Sequence, residues 1–327
     1  MESENLLPDI LSRALQGESC SVDDALRLNE ICSADELCDA ADKVRCHWNG
    51  DTIDMCSIVN ARSGRCSEDC KWCAQSRFYH TGCEEYDIVP EQDVMKAAAM
   101  NCSKGVKRFS LVTSGRKVSP GDIDRFCDIF RRVSCETSLS LCASMGLLTK
   151  AELQKLYDAG VRRYHCNLES SPDHFATLCT THSYEDKLAT IRAAREVGME
   201  VCSGGIIGMG ENMRQRLELA HQSVMAGACS IPVNLLNPIP GTPLEGTPLI
   251  SEEEIIRTIA LYRLIAPKSV IRFAGGRLRL SDKATRRILL GGANGALVGD
   301  MLTTVGNNID QDRALFTEIG YKLHQPE

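Results

Sequence analysis

The stretch Thr52-Ile-Asp-Met-Cys-Ser-Ile-Val59, running on into Asn60-Ala-Arg-Ser-Gly-Arg-Cys66-Ser-Glu-Asp-Cys70-Lys-Trp-Cys73, decides how the rest of the chain is read. Its first half is β-rich and reads as a strand. Its second half is a polar loop with three cysteines spaced C-x3-C-x2-C. A strand running into a chemistry-bearing loop is the repeating unit of an α/β barrel, whose active sites sit on the loops after the strands. The unit recurs downstream. Further strand candidates are Arg108–Val112, Ser138–Cys142, Tyr164–Leu168, Glu200–Ser203, Ile231–Leu235, Val270–Ala274 and Gly295–Val298. Between them lie helix starts at Thr149-Lys-Ala-Glu152, Ser183-Tyr-Glu-Asp186 and Ser251-Glu-Glu-Glu254. Eight strands alternating with helices over about 250 residues predict an α/β fold, a (β/α)8 TIM-type barrel. A doubly wound open sheet fits the same alternation. Upstream, Ser21-Val-Asp-Asp24 and Ser33-Ala-Asp-Glu36 are capping-box-like, so residues 1–50 read as an N-terminal helical extension. The barrel is assigned to 51–305, and 306–327 to a C-terminal segment packed on it.

Bulk properties narrow the function. Apolar residues make up 43% and charged residues 25% of the 327, an ordinary soluble balance. A net charge of −7 leaves no basic excess to neutralise phosphates, so nucleic acid is not an expected partner. No apolar run reaches the length needed to span a bilayer, and the amphipathic, acidic start lacks a basic n-region, so no membrane association and a cytoplasmic location are expected. The anomaly is 17 cysteines. In a chain this long with no export signal they suggest reduced thiols, some of them holding metal and most packed as small apolar side chains.

Three thiolates at C-x3-C-x2-C can converge on one side of a cubane. That is one short of the four usual for a [4Fe–4S] cluster, and the iron left free is what a cluster needs to bind a substrate directly. Zinc prefers two C-x2-C pairs or Cys/His sets, and no second pair follows at zinc-ribbon spacing. The spacing, with an aromatic residue before the third cysteine, resembles the radical S-adenosylmethionine (SAM) superfamily. The resemblance implies that SAM chelates the free iron and that one electron cleaves it to methionine and a 5′-deoxyadenosyl radical, which abstracts hydrogen from unactivated carbon.

Further motifs follow in order: Ser76-Arg-Phe-Tyr-His-Thr-Gly82, Asn167-Leu-Glu169-Ser-Ser-Pro172, Cys202-Ser-Gly-Gly-Ile-Ile-Gly-Met-Gly-Glu211, Asn234-Leu-Leu-Asn-Pro-Ile-Pro-Gly-Thr-Pro243, Arg272-Phe-Ala-Gly-Gly-Arg277 and Leu302-Thr303-Thr304. In register along one chain they are similar to the biotin synthase family, which inserts sulfur into dethiobiotin. Asn167 and Glu169, two apart on the fourth strand, are expected to share the inner face. By resemblance they bind SAM, with Glu169 where the family commonly has Asp. Lys187 stands at a family Arg that pairs with the SAM carboxylate; it keeps the charge and loses the bidentate fork. Trp72 is placed near the adenine. Gly204 and Gly205, with Gly208 and Gly210, let the backbone approach the SAM methionyl group or merely turn the chain. Asn234 can donate to and accept from the ureido ring of dethiobiotin. Thr303 and Thr304 could hold the substrate carboxylate, or be ordinary turn residues.

The family's sulfur donor is an auxiliary iron–sulfur cluster deep in the barrel. Cys142 and Cys202 match two of its cysteines, and Arg272 matches its unusual arginine ligand. The usual third cysteine is replaced by Ser110, a poor ligand for iron. Either Cys166 supplies the missing thiolate, through a bulge in the fourth strand, or the [2Fe–2S] cluster gives way to a larger [4Fe–5S] type found in a similar variant branch. The resemblance also implies a flavodoxin- or ferredoxin-type electron donor and a homodimer. A related radical SAM enzyme of hydrogenase-maturation or mutase type is the rival reading, and a non-catalytic iron–sulfur or zinc scaffold is the other. Cys20, Cys32, Cys38, Cys46, Cys127, Cys135, Cys179 and Cys229 carry no assigned role.

Overall fold

The computed structural model describes residues 5–299, 302 and 308–324. Nine parallel strands form one sheet: β1 (Asp54–Arg62), β2 (Arg108–Thr113), β3 (Ser140–Ser144), β4 (Arg163–His165), β5 (Glu200–Cys202), β6 (Gly205–Ile207), β7 (Ala228–Leu235), β8 (Val270–Phe273) and β9 (Gly295–Leu297). Their order is β5-β4-β3-β2-β1-β9-β8-β7-β6, and an additional β5–β7 pairing closes the ring. β5 and β6 are two pieces of one stave, interrupted at Ser203-Gly204, so the structure is an eight-staved (β/α)8 barrel. Closure rules out the doubly wound alternative. The expected third strand lies two residues late, at Ser140–Ser144, and the fourth stops at His165 rather than reaching Leu168.

Helices cover the outside: α4 (Glu91–Ser103), α5 (Pro120–Glu136), α6 (Lys150–Asp158), α7 (Pro172–Leu178), α8 (Tyr184–Glu196), α9 (Met213–Met225), α10 (Glu252–Ile265), α11 (Asp282–Leu289) and α12 (Ile309–Glu318). The caps read from sequence are in place. Ser21, Ser33, Thr149, Ser183 and Ser251 each accept a hydrogen bond from the backbone N–H three residues on, satisfying an otherwise orphaned donor at each helix start. Ahead of the barrel, α1 (Leu6–Leu15), α2 (Val22–Ile31) and α3 (Ala34–Asn49) pack on α9 and α10. At the other end Lys322 N–H donates to the Asp51 carbonyl and Phe316 is fully buried. None of the described helices is long and apolar enough to cross a membrane.

Strand alternation sorts the residues into two spaces. Met55, Phe109, Leu111, Leu141, Ala143, Tyr164, Val201, Ile231, Val233, Ile271, Phe273 and Ala296 point outward into the helix layer and are buried there. Burial of each large apolar side chain contributes about 1.5–3 kcal/mol. Their neighbours point inward, and these are largely polar: Cys56, Arg108, Ser110, Cys142, Ser144, Arg163, His165, Cys202, Asn234 and Arg272 line one internal cavity. A barrel that needed its interior for stability would fill it with Val, Ile and Leu. This one keeps it open.

Candidate active site

The cavity holds about 460 Å³ and runs from the loop after β1 down to the floor of the barrel. At its mouth lie Cys66, Cys70 and Cys73 with Trp72. The loop that carries them is held by its own backbone. Cys66 N–H donates to the Gln75 carbonyl and Arg77 N–H to the Cys66 carbonyl, each at 2.9 Å, while Cys73 N–H closes a turn on the Cys70 carbonyl at 3.0 Å. Ser76 Oγ donates to the Glu68 carbonyl at 2.7 Å. Trp72 packs with Leu178, Met209 and Leu236 in a small apolar cluster at the rim. Burial raises Cys66 and Cys73, the latter to about 12, and Cys70 is raised first by its hydrogen bond with Cys179 and then by burial. Neighbouring thiols that resist ionisation are suited to a cationic metal centre, which supplies the missing counter-charge.

Beside Cys70 stands a second group. Cys179 Sγ lies 3.7 Å from Cys70 Sγ and 3.3 Å from His182 Nδ1, and His182 Nδ1 lies 2.6 Å from Glu68 Oε2. Its hydrogen bond with Cys70, helped by His182 and Thr181, brings the Cys179 thiol down to about 4 despite burial. Asp69 accepts from Thr180 N–H at 2.9 Å and from Thr181 N–H at 3.2 Å, which locks this segment to the cysteine loop.

Midway down are Asn167, Glu169 and Lys187. Asn167 Nδ2 donates to Glu169 Oε2 at 3.3 Å, and Asn167 Oδ1 accepts from Gly204 N–H at 3.1 Å. Burial raises the Glu169 carboxyl, opposed by the nearby Lys187 ammonium. Lys187 reaches in from α8, its ammonium 5.4 Å from the centre of the Phe175 ring.

The floor is cationic. Arg272 Nη2 donates to Asp54 Oδ1 at 2.7 Å, and Arg272 Nη1 donates to the Asp54 and Ala296 carbonyls at 2.8 and 3.1 Å. Arg108 Nε donates to Asp54 Oδ2 at 2.9 Å, and Arg163 Nε to Glu200 Oε2 at 2.9 Å. Burial would raise the Asp54 carboxyl, but Arg272 and Arg108 hold it well below the usual range. Among these arginines sit Cys56, Cys142 and Cys202. All three line the cavity, with His165 beside them. Burial raises Cys202, yet His165, Arg272 and Arg163 prevail and bring it down to about 6.

Two family models match the chain. One, described as the Radical SAM superfamily, covers residues 61–222; the other, described as the Biotin and Thiamin Synthesis associated domain, covers 232–322. The biotin synthase of Parabacteroides distasonis is 47% identical over 309 residues, 94% of each chain. That of Porphyromonas gingivalis is 47% identical over 318 residues, 97% of this chain and 96% of its own. The chain belongs to the biotin synthase family. Among solved structures, methylornithine synthase superposes with a TM-score of 0.82 at 20% identity, over 97% of this chain and 98% of its own. At that identity the likeness is one of fold. The curated relatives favour biotin synthesis over the maturation or mutase reading.

Read as a biotin synthase family member, the chain brings most of the expected residues to one cavity, with corrections. Asn167 and Glu169 are not on a strand: β4 ends at His165 and Glu169 sits in the left-handed region at φ 73°. The reason is local. A Cβ on Gly205 would lie 2.2 Å from the Glu169 carbonyl oxygen, and one on Gly204 2.1 Å from that of Pro232. These glycines therefore admit neighbouring backbone, and Glu169 and Gly205 form a bridge there. Asn234 lines the cavity, donating to the Gly205 carbonyl at 3.1 Å and accepting from Gly275 N–H at 2.9 Å, which leaves one N–H and one lone pair. Cys166 lines the cavity near Lys187 and Glu169. Thr303 and Thr304 lie outside the described residues. Sequence reasoning passed over Cys56, Asp54, Arg108, Arg163, His165, Cys179 and His182. The inward parity of β1 and β2 carried a signal for Cys56 and Arg108; nothing local marked Cys179 and His182, which reach Cys70 from over a hundred residues away.

Proposed function

We propose that this chain converts dethiobiotin to biotin by inserting sulfur at unactivated carbon. The observation that carries the reading is one cavity with a three-cysteine loop at its mouth and a second cysteine group at its floor. A substrate between them is reached from both sides. Three thiols on a rigid loop open to the cavity fit a [4Fe–4S] cluster with one iron free for SAM. When bound there, that cluster supplies the electron that cleaves SAM to the radical that takes hydrogen from dethiobiotin.

The protein's own residues bind, orient and shield. Lys187, a buried cation, offers the SAM carboxylate a charge-assisted bond. Glu169, its backbone wedged against Gly205, presents a carboxylate to ribose hydroxyls, with Asn167 fixing its orientation. Trp72 and its apolar neighbours exclude water from the mouth, which keeps a reactive radical from side reactions. The polar floor, with Cys142 and Cys202 among three arginines, suits an anionic auxiliary cluster as sulfur donor, and Asn234 positions the Gly275 backbone for the substrate's polar ring. A flavodoxin- or ferredoxin-type donor and a homodimeric state complete the reading, on the strength of family membership.

Anaerobically reconstituted protein given SAM, a reductant and dethiobiotin is expected to yield biotin and 5′-deoxyadenosine, and the gene to rescue a biotin auxotroph. Production of 5′-deoxyadenosine without biotin would overturn the substrate assignment, and absence of both the radical chemistry.

A further inference from the structure

The auxiliary site as read from the family pattern is short of a thiolate, because β2 carries Ser110 where a cysteine is usual. The register shows what stands nearby. Ser110 lies opposite Cys142 on β3 on one side and opposite Ile58 on β1 on the other. Two residues below Ile58, on the same inward face, is Cys56, level with Arg108. Cys56 and Cys142 thus flank β2 from its two neighbouring staves, and both line the same internal cavity.

We propose that Cys56 is a ligand of the auxiliary iron–sulfur cluster, supplying from β1, together with Cys142 and Cys202, the third thiolate that β2 lacks at Ser110. This rests on the reading above that the floor of the cavity holds a sulfur-donating cluster. The alternatives are placed elsewhere. Cys166 lies near Lys187 and Glu169. Cys229 donates its thiol to the Val201 carbonyl at 3.4 Å and does not line the cavity. Ser110 offers a hydroxyl, a hard and weakly acidic ligand for which iron–sulfur centres have little preference.

The charges agree. Arg272, Arg108 and Arg163 surround the three thiols, and against them stand Asp54 and the half-exposed Glu200. A site with surplus fixed positive charge is completed by an anionic guest, and three thiolates around a sulfide-rich cluster are one. Arg272 is also held on three contacts by Asp54 and Ala296, which keep its guanidinium at the floor, beside the thiols. With Ser110 in place of the usual third cysteine, a further thiolate is needed beside Cys142, Cys202 and Arg272.

Iron and acid-labile sulfide counts on anaerobically prepared protein, with the electron paramagnetic resonance signal of the reduced SAM cluster as internal control, test this. The wild-type chain should carry clearly more than the roughly four iron atoms of one cubane. Cys56→Ser should fall to about four while the SAM-cluster signal persists. Ser110→Ala and Cys166→Ser should keep the wild-type count. Should Cys56→Ser be insoluble, the double variant Cys56→Ser/Ser110→Cys, which returns a thiol to β2, should recover the second cluster. A wild-type count in Cys56→Ser, loss of both clusters together, or a double variant without the second cluster would overturn the proposal. About four iron atoms in the wild-type chain itself would instead remove the auxiliary cluster, and with it the reading on which this one stands.

Discussion

Lys187 is the cation that enters the cavity closest to the Asn167–Glu169 pair, and nine-tenths of it is buried. Taking an ammonium out of water costs several kcal/mol unless something repays it. Glu169 repays part, and the Phe175 ring, 5.4 Å away, adds a cation–π contact. A ligand carboxylate in the cavity would complete the set. Lys187→Met should therefore weaken SAM binding by about ten- to a hundredfold, the equivalent of one charge-assisted hydrogen bond. Lys187→Arg should retain most of the affinity. Equilibrium titration of SAM into the reconstituted protein checks both, and unchanged affinity in the Met variant would place the carboxylate elsewhere. Glu169 shows the complementary cost. A left-handed backbone at a residue other than glycine costs about 1–3 kcal/mol and persists where the surroundings impose it. Here Gly205 and the Asn167 amide do so.

The link between β6 and α9 shows what a glycine-rich motif does for the fold. In Gly208-Met-Gly210-Glu211 the Glu211 carboxylate turns back on its own loop, accepting from Gly208 N–H at 2.6 Å and Met209 N–H at 2.7 Å. Arg216, on the first turns of α9, donates to the same carboxylate at 2.5 Å, and both side chains are almost wholly buried. Glycines at 208 and 210 supply the positive φ values, 94° and 97°, that let the loop fold over the carboxylate. This element is a self-capped turn that sets where α9 begins. Glu211→Ala would strip Arg216 Nε and two backbone N–H groups of their partner while Glu254 still pairs with Arg216 Nη1, so a loss of about 1–3 kcal/mol in urea unfolding is expected. A loss under about 1 kcal/mol would mean that water replaces the carboxylate.

Across the whole molecule, one residue ties the barrel to its outer layer. Arg263 on α10 is fully buried and donates to the carbonyls of Gly292, Ala266, Pro267 and Ser269 and to Asn294 Oδ1. Asn294 Oδ1 also accepts from Ile271 N–H, so the network joins α10 to β8 and to the approach to β9. Arg263→Met would keep the volume and orphan several carbonyls, at a cost of at least about 3 kcal/mol. A stability equal to wild type in calorimetry would contradict this. The sequence alone determined the helix starts, the eightfold strand–helix alternation and the cysteine loop, because caps, periodicity and short spacings are local and act through neighbours in the chain. Closure of the sheet, the stop of β4 at His165, the backbone packed on Gly204 and Gly205, the hydrogen bonds of Asn234, and the arrival of Cys56 and Cys142 in one cavity were settled by folding. Each depends on which backbone comes to lie against which across the barrel, and a residue's distance along the chain says nothing about that.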